Sequence, residues 1–183
     1  MELWAAVVAV IGTTLGALIG IVSGRWTADT EWKRSEAKRL TELRKVAYAA
    51  YGEAVKQDVR VSRKMAAGLG AASSDNPLTR DEGRSRLADI NERRSAALEG
   101  VLLVGSRATV DHARIWQHAV WHLRKRVLAA PDITSDEYSR LYRMAGKARE
   151  NFYRASRADL DVGGESANAM PHHDLEAAWR ALA

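Results

Sequence analysis

The stretch ITSDEYSRLYRMAGKARENFYRA, residues 133–155, carries a complete helix start followed by a helical repeat, and it decides the fold class. Thr134 is placed to cap a helix, Glu137 stands at the third helical position where its carboxylate can answer, and Ile133 with Tyr138 makes the apolar staple that sets the chain's approach. Tyr138, Leu141, Tyr142, Ala145, Ala148, Phe152 and Ala155 then recur at the spacing of one helix face. A helix is expected over 135–161, stopping at Gly163-Gly164.

The same reading extends upstream. Residues 107–129 place Ala113, Trp116, Val120, Leu123 and Val127 at heptad spacing, with Pro131 just beyond. Thr79 and Glu82 form a capping box opening a helix over 80–104, whose face is Leu87, Ile90, Ala97, Val101 and Val104 and whose close is Gly105. Before it, GLGAASSDNPLTRDEG (68–83) is the clearest loop, its linker proper being 68–79. Residues 26–67 read as a long helix with alternating charge. Asp29/Lys33, Glu31/Arg34, Glu36/Arg39 and Glu42/Lys45 are pairs that each add about 0.2–0.5 kcal/mol. Leu40, Leu43, Ala47, Ala50, Ala54 and Val61 supply its expected packing seam, interrupted by Gln57. A short helix with Leu175, Trp179 and Leu182 on one side is expected after Pro171, within a tail over 164–183. All three prolines fall in breaks and no segment alternates with period two. The expectation is all-α: a bundle over 80–163 joined to the long helix, with antiparallel neighbours because the links after residues 105 and 130 are short.

The composition looks like that of a basic soluble chain: 183 residues, 46% apolar, 28% charged, no cysteine, formal charge +5. The absence of cysteine excludes disulfide scaffolds and thiolate metal sites. The average conceals an uneven distribution, since all 28 Lys and Arg lie at or after Arg25. From Leu3 to Gly24 there is no charged side chain, and 22 residues at about 1.5 Å each make roughly 33 Å of helix, enough to cross a bilayer. Residues 1–25 are therefore expected to be a retained anchor, with Trp4 and Trp26 at the two headgroup layers. Arg25, Lys33, Arg34, Lys38 and Arg39 follow the stretch and none precedes it, which predicts the N-terminus outside and the following domain on the cytoplasmic side of the cell membrane. Gly12, Gly16, Gly20 and Gly24 recur every four residues, so they line one stripe on which another membrane helix can pack closely.

Candidate chemistry is sparse. His118 and His122 stand four apart in WQHAVWH, as a zinc pair would, but the glutamate of HExxH is missing. His112, His172, His173 or Asp174 would have to supply a third ligand, and the pair is read as half-buried or surface histidines, with no metal and no cofactor expected. Basic clusters occur at Lys33-Arg34, Lys38-Arg39, Arg44-Lys45, Arg93-Arg94 and Arg124-Lys125-Arg126. Acids interleave them, so a solvated helix face is favoured over anionic lipid and over nucleic acid. There is no Gly-x-Ser-x-Gly, no phosphate-cradling loop and no convincing carboxylate pair, and no catalytic residue is assigned.

The order of bare apolar anchor, then WKRSEAKRLTELRKVAYAAY, then LLVGSRATVDHA leading into another helix, resembles uncharacterised single-span helical membrane proteins of high-GC Gram-positive bacteria and their phages. The ratio of 21 Arg to 7 Lys agrees with such a source. The resemblance carries no activity and no site residues. The expectation is a non-enzymatic interaction or scaffold protein that self-associates and presents a bundle to a protein partner at the inner leaflet. The alternatives are a membrane-tethered binder of anionic lipid or nucleic acid, and a phage lysis or exclusion component.

Overall fold

A computed structural model describes residues 2–129 and 133–162, with side chains described at Trp32 and from residue 35 onward. The described residues form four helices and no strand: α1 (Glu2–Gly68), α2 (Arg80–Val104), α3 (Arg107–Ala129) and α4 (Ser135–Asp159). The all-α expectation is met. Two compact units divide the chain, Met1–Glu42 and Leu43–Ala183, and the boundary falls within α1.

In the first unit the backbone is helical from Glu2, and Lys38 and Arg39 are exposed, with Arg39 Nη1 3.8 Å from Glu36. No helix among the residues searched is long and apolar enough to cross a membrane. The side chains of Leu3–Gly24, including the glycine stripe Gly12, Gly16, Gly20 and Gly24, lie outside the described residues, as do those of Trp4, Arg25, Trp26, Lys33 and Arg34. The expected Gly163-Gly164 stop and the tail helix after Pro171 also lie outside them.

The second unit is an up-down-up-down bundle. Asp58 on α1 meets Arg94 on α2, Arg80 of α2 reaches the Val127 carbonyl of α3, and α3 meets α4 at opposite ends through Arg126–Glu137 and Thr109–Asp159. Each helix is therefore antiparallel to the next. The starts are chemically closed. Thr79 Oγ1 accepts from the Glu82 N–H while the Glu82 carboxylate accepts the Thr79 N–H at 2.9 Å, completing the capping box, and Thr134 Oγ1 accepts from the Glu137 N–H. At the end of α1, Gly70 takes a positive φ of 76°, its N–H bonds the Ala67 carbonyl and the Ala71 N–H bonds that of Ala66. This is the left-handed stop that glycine reaches without Cβ strain. α4 closes the same way two residues earlier than expected, with Asp161 left-handed at φ 50° and the Val162 N–H on the Arg157 carbonyl. Asp adopts that conformation more readily than most residues with a Cβ.

The core has two layers. Toward the α1–α2 turn, Val61, Met65, Leu87, Ile90, Leu123, Val127, Ile133 and Tyr138 form an aliphatic layer, with the Ile133/Tyr138 staple inside it. At the other end Tyr48, Tyr51, Val55, Val101, Trp116, Ala145 and Phe152 form an aromatic one. Phe152 sits at its centre, 5.2 Å from the Tyr51 ring and 5.5 Å from that of Trp116 between centroids. The α1 seam matches the expected one at Ala54 and Val61, which are buried, and at Ala47, which packs on the core, and departs from it elsewhere. Leu40 and Leu43 are 40% and 50% exposed and Ala50 is exposed, while the buried series is Tyr48, Tyr51, Val55, Asp58, Ser62 and Met65. This is an unbroken heptad with two polar residues on core positions, and counting only apolar residues rotates the seam away from it. Gly83 lets α1 and α2 close on each other, because a Cβ there would overlap the Met65 thioether.

Phe152→Ala is expected to cost about 3–5 kcal/mol, the range for truncating an enclosed aromatic ring. Met144→Ala on the outer face of the same helix, 56% exposed, should change stability by under about 0.5 kcal/mol. Urea unfolding followed by circular dichroism separates the two.

Candidate site on α3 and the buried charges around it

α3 has two chemically distinct faces. Thr109, Ala113, Trp116, Val120, Leu123 and Val127 point inward, leaving His118, Trp121, His122 and Lys125 exposed together on the outer side. The imidazoles converge, with Nε2 of His122 3.0 Å from Nε2 of His118. Trp121 holds them: His118 lies nearly parallel to its ring at 5.8 Å, and His122 meets it edge-on at 4.9 Å. On its other flank the Lys125 ammonium sits 4.9 Å from the Trp121 centroid, a cation–π contact. Beside this cluster an open groove of about 390 Å³ is lined by Arg84, Trp121, Arg124, Lys125, Leu128 and Ala129. The histidines are exposed rather than half-buried, and Trp116, their neighbour in sequence, belongs to the opposite, buried face.

Behind the groove lies Asp58. Its carboxylate is fully enclosed and accepts from Arg94, itself 4% exposed, and at 3.0 Å from Arg124 Nη1. Arg94 also bonds the Asn91 side-chain oxygen. Burial pushes the Asp58 carboxyl above the ordinary carboxylate value, and the Arg124 and Arg94 guanidiniums offset only part of that rise. Arg124 therefore does two things: its guanidinium is held by a buried carboxylate and its stem forms part of the groove wall. The neighbouring Arg126 makes a two-point bond to the Glu137 carboxylate, joining α3 to the start of α4.

A second polar centre closes the other end of the bundle. Asp159 Oδ2 accepts three hydrogen bonds, from the Tyr48 hydroxyl, from the Ser106 N–H at 2.8 Å and from Thr109 Oγ1 at 2.9 Å. Ser106 Oγ caps α3 at Thr109, so Asp159, reaching over from α4, fills the place that a capping-box glutamate fills locally. Burial alone would raise the Asp159 carboxyl, but these donors outweigh it and hold it below its ordinary value. Arg44 completes the junction. Its Nε donates to the Val104 carbonyl at 2.7 Å and its Nη1 to that of Asp159 at 3.2 Å, placing a cation where two helix C-termini converge.

Three of the five basic clusters thus contain arginines engaged inside the protein: Arg44, Arg94, and Arg124 with Arg126. Lys38 and Arg39 remain on the surface. Asp58 and Asp159 were not singled out from the sequence. A usable signal existed for Asp58 in its heptad register with Tyr51, Val55, Ser62 and Met65, and none existed for Asp159, whose partners lie at least 50 residues away. Among the described residues no three His, Asp or Glu converge as a metal cage would require, and His118 with His122 form a pair with Nε2 atoms 3.0 Å apart. The hydroxyls that meet a carboxylate, Tyr48 and Thr109 on Asp159, join helices at the end of the bundle. No known protein family, curated protein or solved structure matches the chain detectably.

Asp58→Leu is expected to cost about 3–5 kcal/mol, because it strands Arg94 in the core. Adding Arg94→Met should return stability to the wild-type level or above it, since burial outweighs the attraction within the group. A urea-melt cycle in which the double variant is no better than the single one contradicts this. For Asp159 the sign runs the other way. A carboxyl lowered by folding stabilises above its unfolded value of about 3.9 and loses that stability as pH falls through the folded value. Asp159→Asn should therefore lose about 1.5–3 kcal/mol at pH 7, and the difference from wild type should shrink as unfolding is measured at successively lower pH toward 2.

Proposed function

We propose that this protein is a single-span membrane protein that displays a helical bundle to partners at the cytoplasmic face and associates with itself through the anchor. The observation that carries the reading is the 22-residue uncharged stretch Leu3–Gly24 followed immediately by every cation in the chain. A 22-residue run of that hydrophobicity spans a bilayer, and flanking Lys and Arg resist translocation. The stripe Gly12, Gly16, Gly20 and Gly24 gives the anchor a face where a second helix can approach at backbone distance. Trp4 and Trp26 would mark its two ends.

What is known of the bundle supports a binding role over a catalytic one. The bonds of Asp58 to Arg94 and Arg124, and of Asp159 to Tyr48, Ser106 and Thr109, each join one helix to another. The lipid and nucleic-acid reading is weakened by the same accounting of arginines, because Arg44, Arg94 and Arg126 spend their donors on intramolecular acceptors.

Two fusions test the topology. A fluorescent protein at the C-terminus should be bright and alkaline phosphatase there inactive, with the chain retained in carbonate-washed membranes. Active phosphatase with a dark fluorescent fusion reverses the orientation and favours a lysis-type role, while release by carbonate removes the anchor altogether. In the retained protein, Gly16→Leu with Gly20→Leu should abolish crosslinked oligomers in the native membrane, and undiminished crosslinking overturns the glycine stripe as the contact.

A further inference from the structure

We propose that His118 and His122 form a two-point site for a divalent first-row transition ion with a tetragonal preference, copper(II) above nickel(II) and zinc(II). Positions four apart on a helix face the same way, which brings two imidazoles within reach of one ion. The Nε2 atoms are 3.0 Å apart. In the metal-free protein one imidazole donates a hydrogen bond to the other, and an ion takes the place of that shared proton, with bonds of about 2.0–2.1 Å from both Nε2 atoms. The order of affinities follows from the ligands, since nitrogen donors favour copper(II) over its neighbours.

Trp121 makes the pair more than two loose surface histidines. It stacks against His118 and meets His122 edge-on, limiting the rotation of both rings, so less freedom is lost when an ion binds. Among the described residues no third His, Asp or Glu completes the set, which leaves the remaining positions to water or to a ligand brought by another molecule. Lys125 sits over the far flank of Trp121 and donates nothing to the ion. The site is exposed on α3, so an ion can reach it without any movement of the bundle.

The test uses the full-length protein in detergent micelles, titrated with copper(II) and separately with nickel(II) and zinc(II) by calorimetry, with electron paramagnetic resonance on the copper form. The expected result is one copper per chain whose spectrum shows two coordinated nitrogens, bound more tightly than nickel or zinc. Loss of a mere outer-shell partner commonly weakens a metal about 10- to 100-fold, so His118→Ala and His122→Ala should each weaken copper at least about tenfold. Trp121→Ala should weaken it less than either, as a positioning residue would. His112→Ala and the paired His172→Ala/His173→Ala should leave the site unchanged. Both α3 histidines are exposed, so their variants should keep the wild-type circular dichroism. Copper binding that survives His118→Ala or His122→Ala, or that disappears with His172 and His173, overturns the proposal. So does zinc binding tighter than copper.

Discussion

The bundle is organised around a carboxylate that has no access to water. Asp58 lies at the boundary between the aromatic and aliphatic layers, where Tyr48, Tyr51 and Val55 precede it on α1 and Val61 and Met65 follow. Its partners lie near the same boundary, Arg94 on α2 between Ile90 and Val101, and Arg124 on α3 just past the step from Val120 to Leu123. A buried charge is tolerable only opposite its partners. Sliding α1 by one heptad would present Asp58 to the Trp116 and Phe152 rings or to the Leu87–Leu123–Val127 layer. Either register leaves a carboxylate in hydrocarbon and a guanidinium without an acceptor. The pair is a poor source of net stability, since burial outweighs its attraction, yet it selects one register among the several that an apolar heptad seam would accept.

The ends of the helices meet under a related constraint. At the turn between α2 and α3, the α2 and α4 C-termini come together, and their unpaired carbonyls repel. Arg44 answers with one guanidinium bridging Val104 and Asp159, while the Asp159 side chain turns toward the N-terminus of α3, where negative charge is favoured. One residue thus supplies a carbonyl to a cation and a carboxylate to a helix start. Gly105, extended rather than left-handed, is needed there because a Cβ would press on the Val101 carbonyl at 2.7 Å.

Local signals were legible and long-range ones were not. The capping residues Thr79 and Thr134, the 113–116–120–123–127 seam of α3 and the Ile133/Tyr138 staple are all contained within a few turns, and reading them needs no knowledge of a partner helix. The α1 seam was read correctly only at Ala47, Ala54 and Val61, for a definite reason. Its core positions 58 and 62 hold Asp and Ser, so a hydrophobic count slides to Leu40, Leu43 and Ala50, which face outward. Arg94 and Arg124 were misassigned for the complementary reason: each stands in a run of cations, and adjacency in sequence says nothing of which one turns inward. His118 and His122 were legible as a pair because a four-residue spacing on a helix is itself a statement of proximity, but the part played by Trp121 depends on ring orientations that spacing does not contain.

The charge of the chain takes on a different meaning once the inward arginines are set aside. Residues 25–45 carry seven cations and four acids, so half of the excess of +6 that follows Gly24 falls in the 21 residues next to the apolar stretch. The other 138 residues hold 21 cations against 18 acids, and Arg94, Arg124 and Arg126 within them bond Asp58 and Glu137. A nucleic-acid footprint needs its positive charge gathered on one face of the folded domain. Here residues 46–183 are close to balanced and three of their arginines bond internal acids, while the dense excess lies next to the apolar stretch. The excess next to Leu3–Gly24 is the part that the proposed membrane orientation uses, while the inward arginines hold helices together.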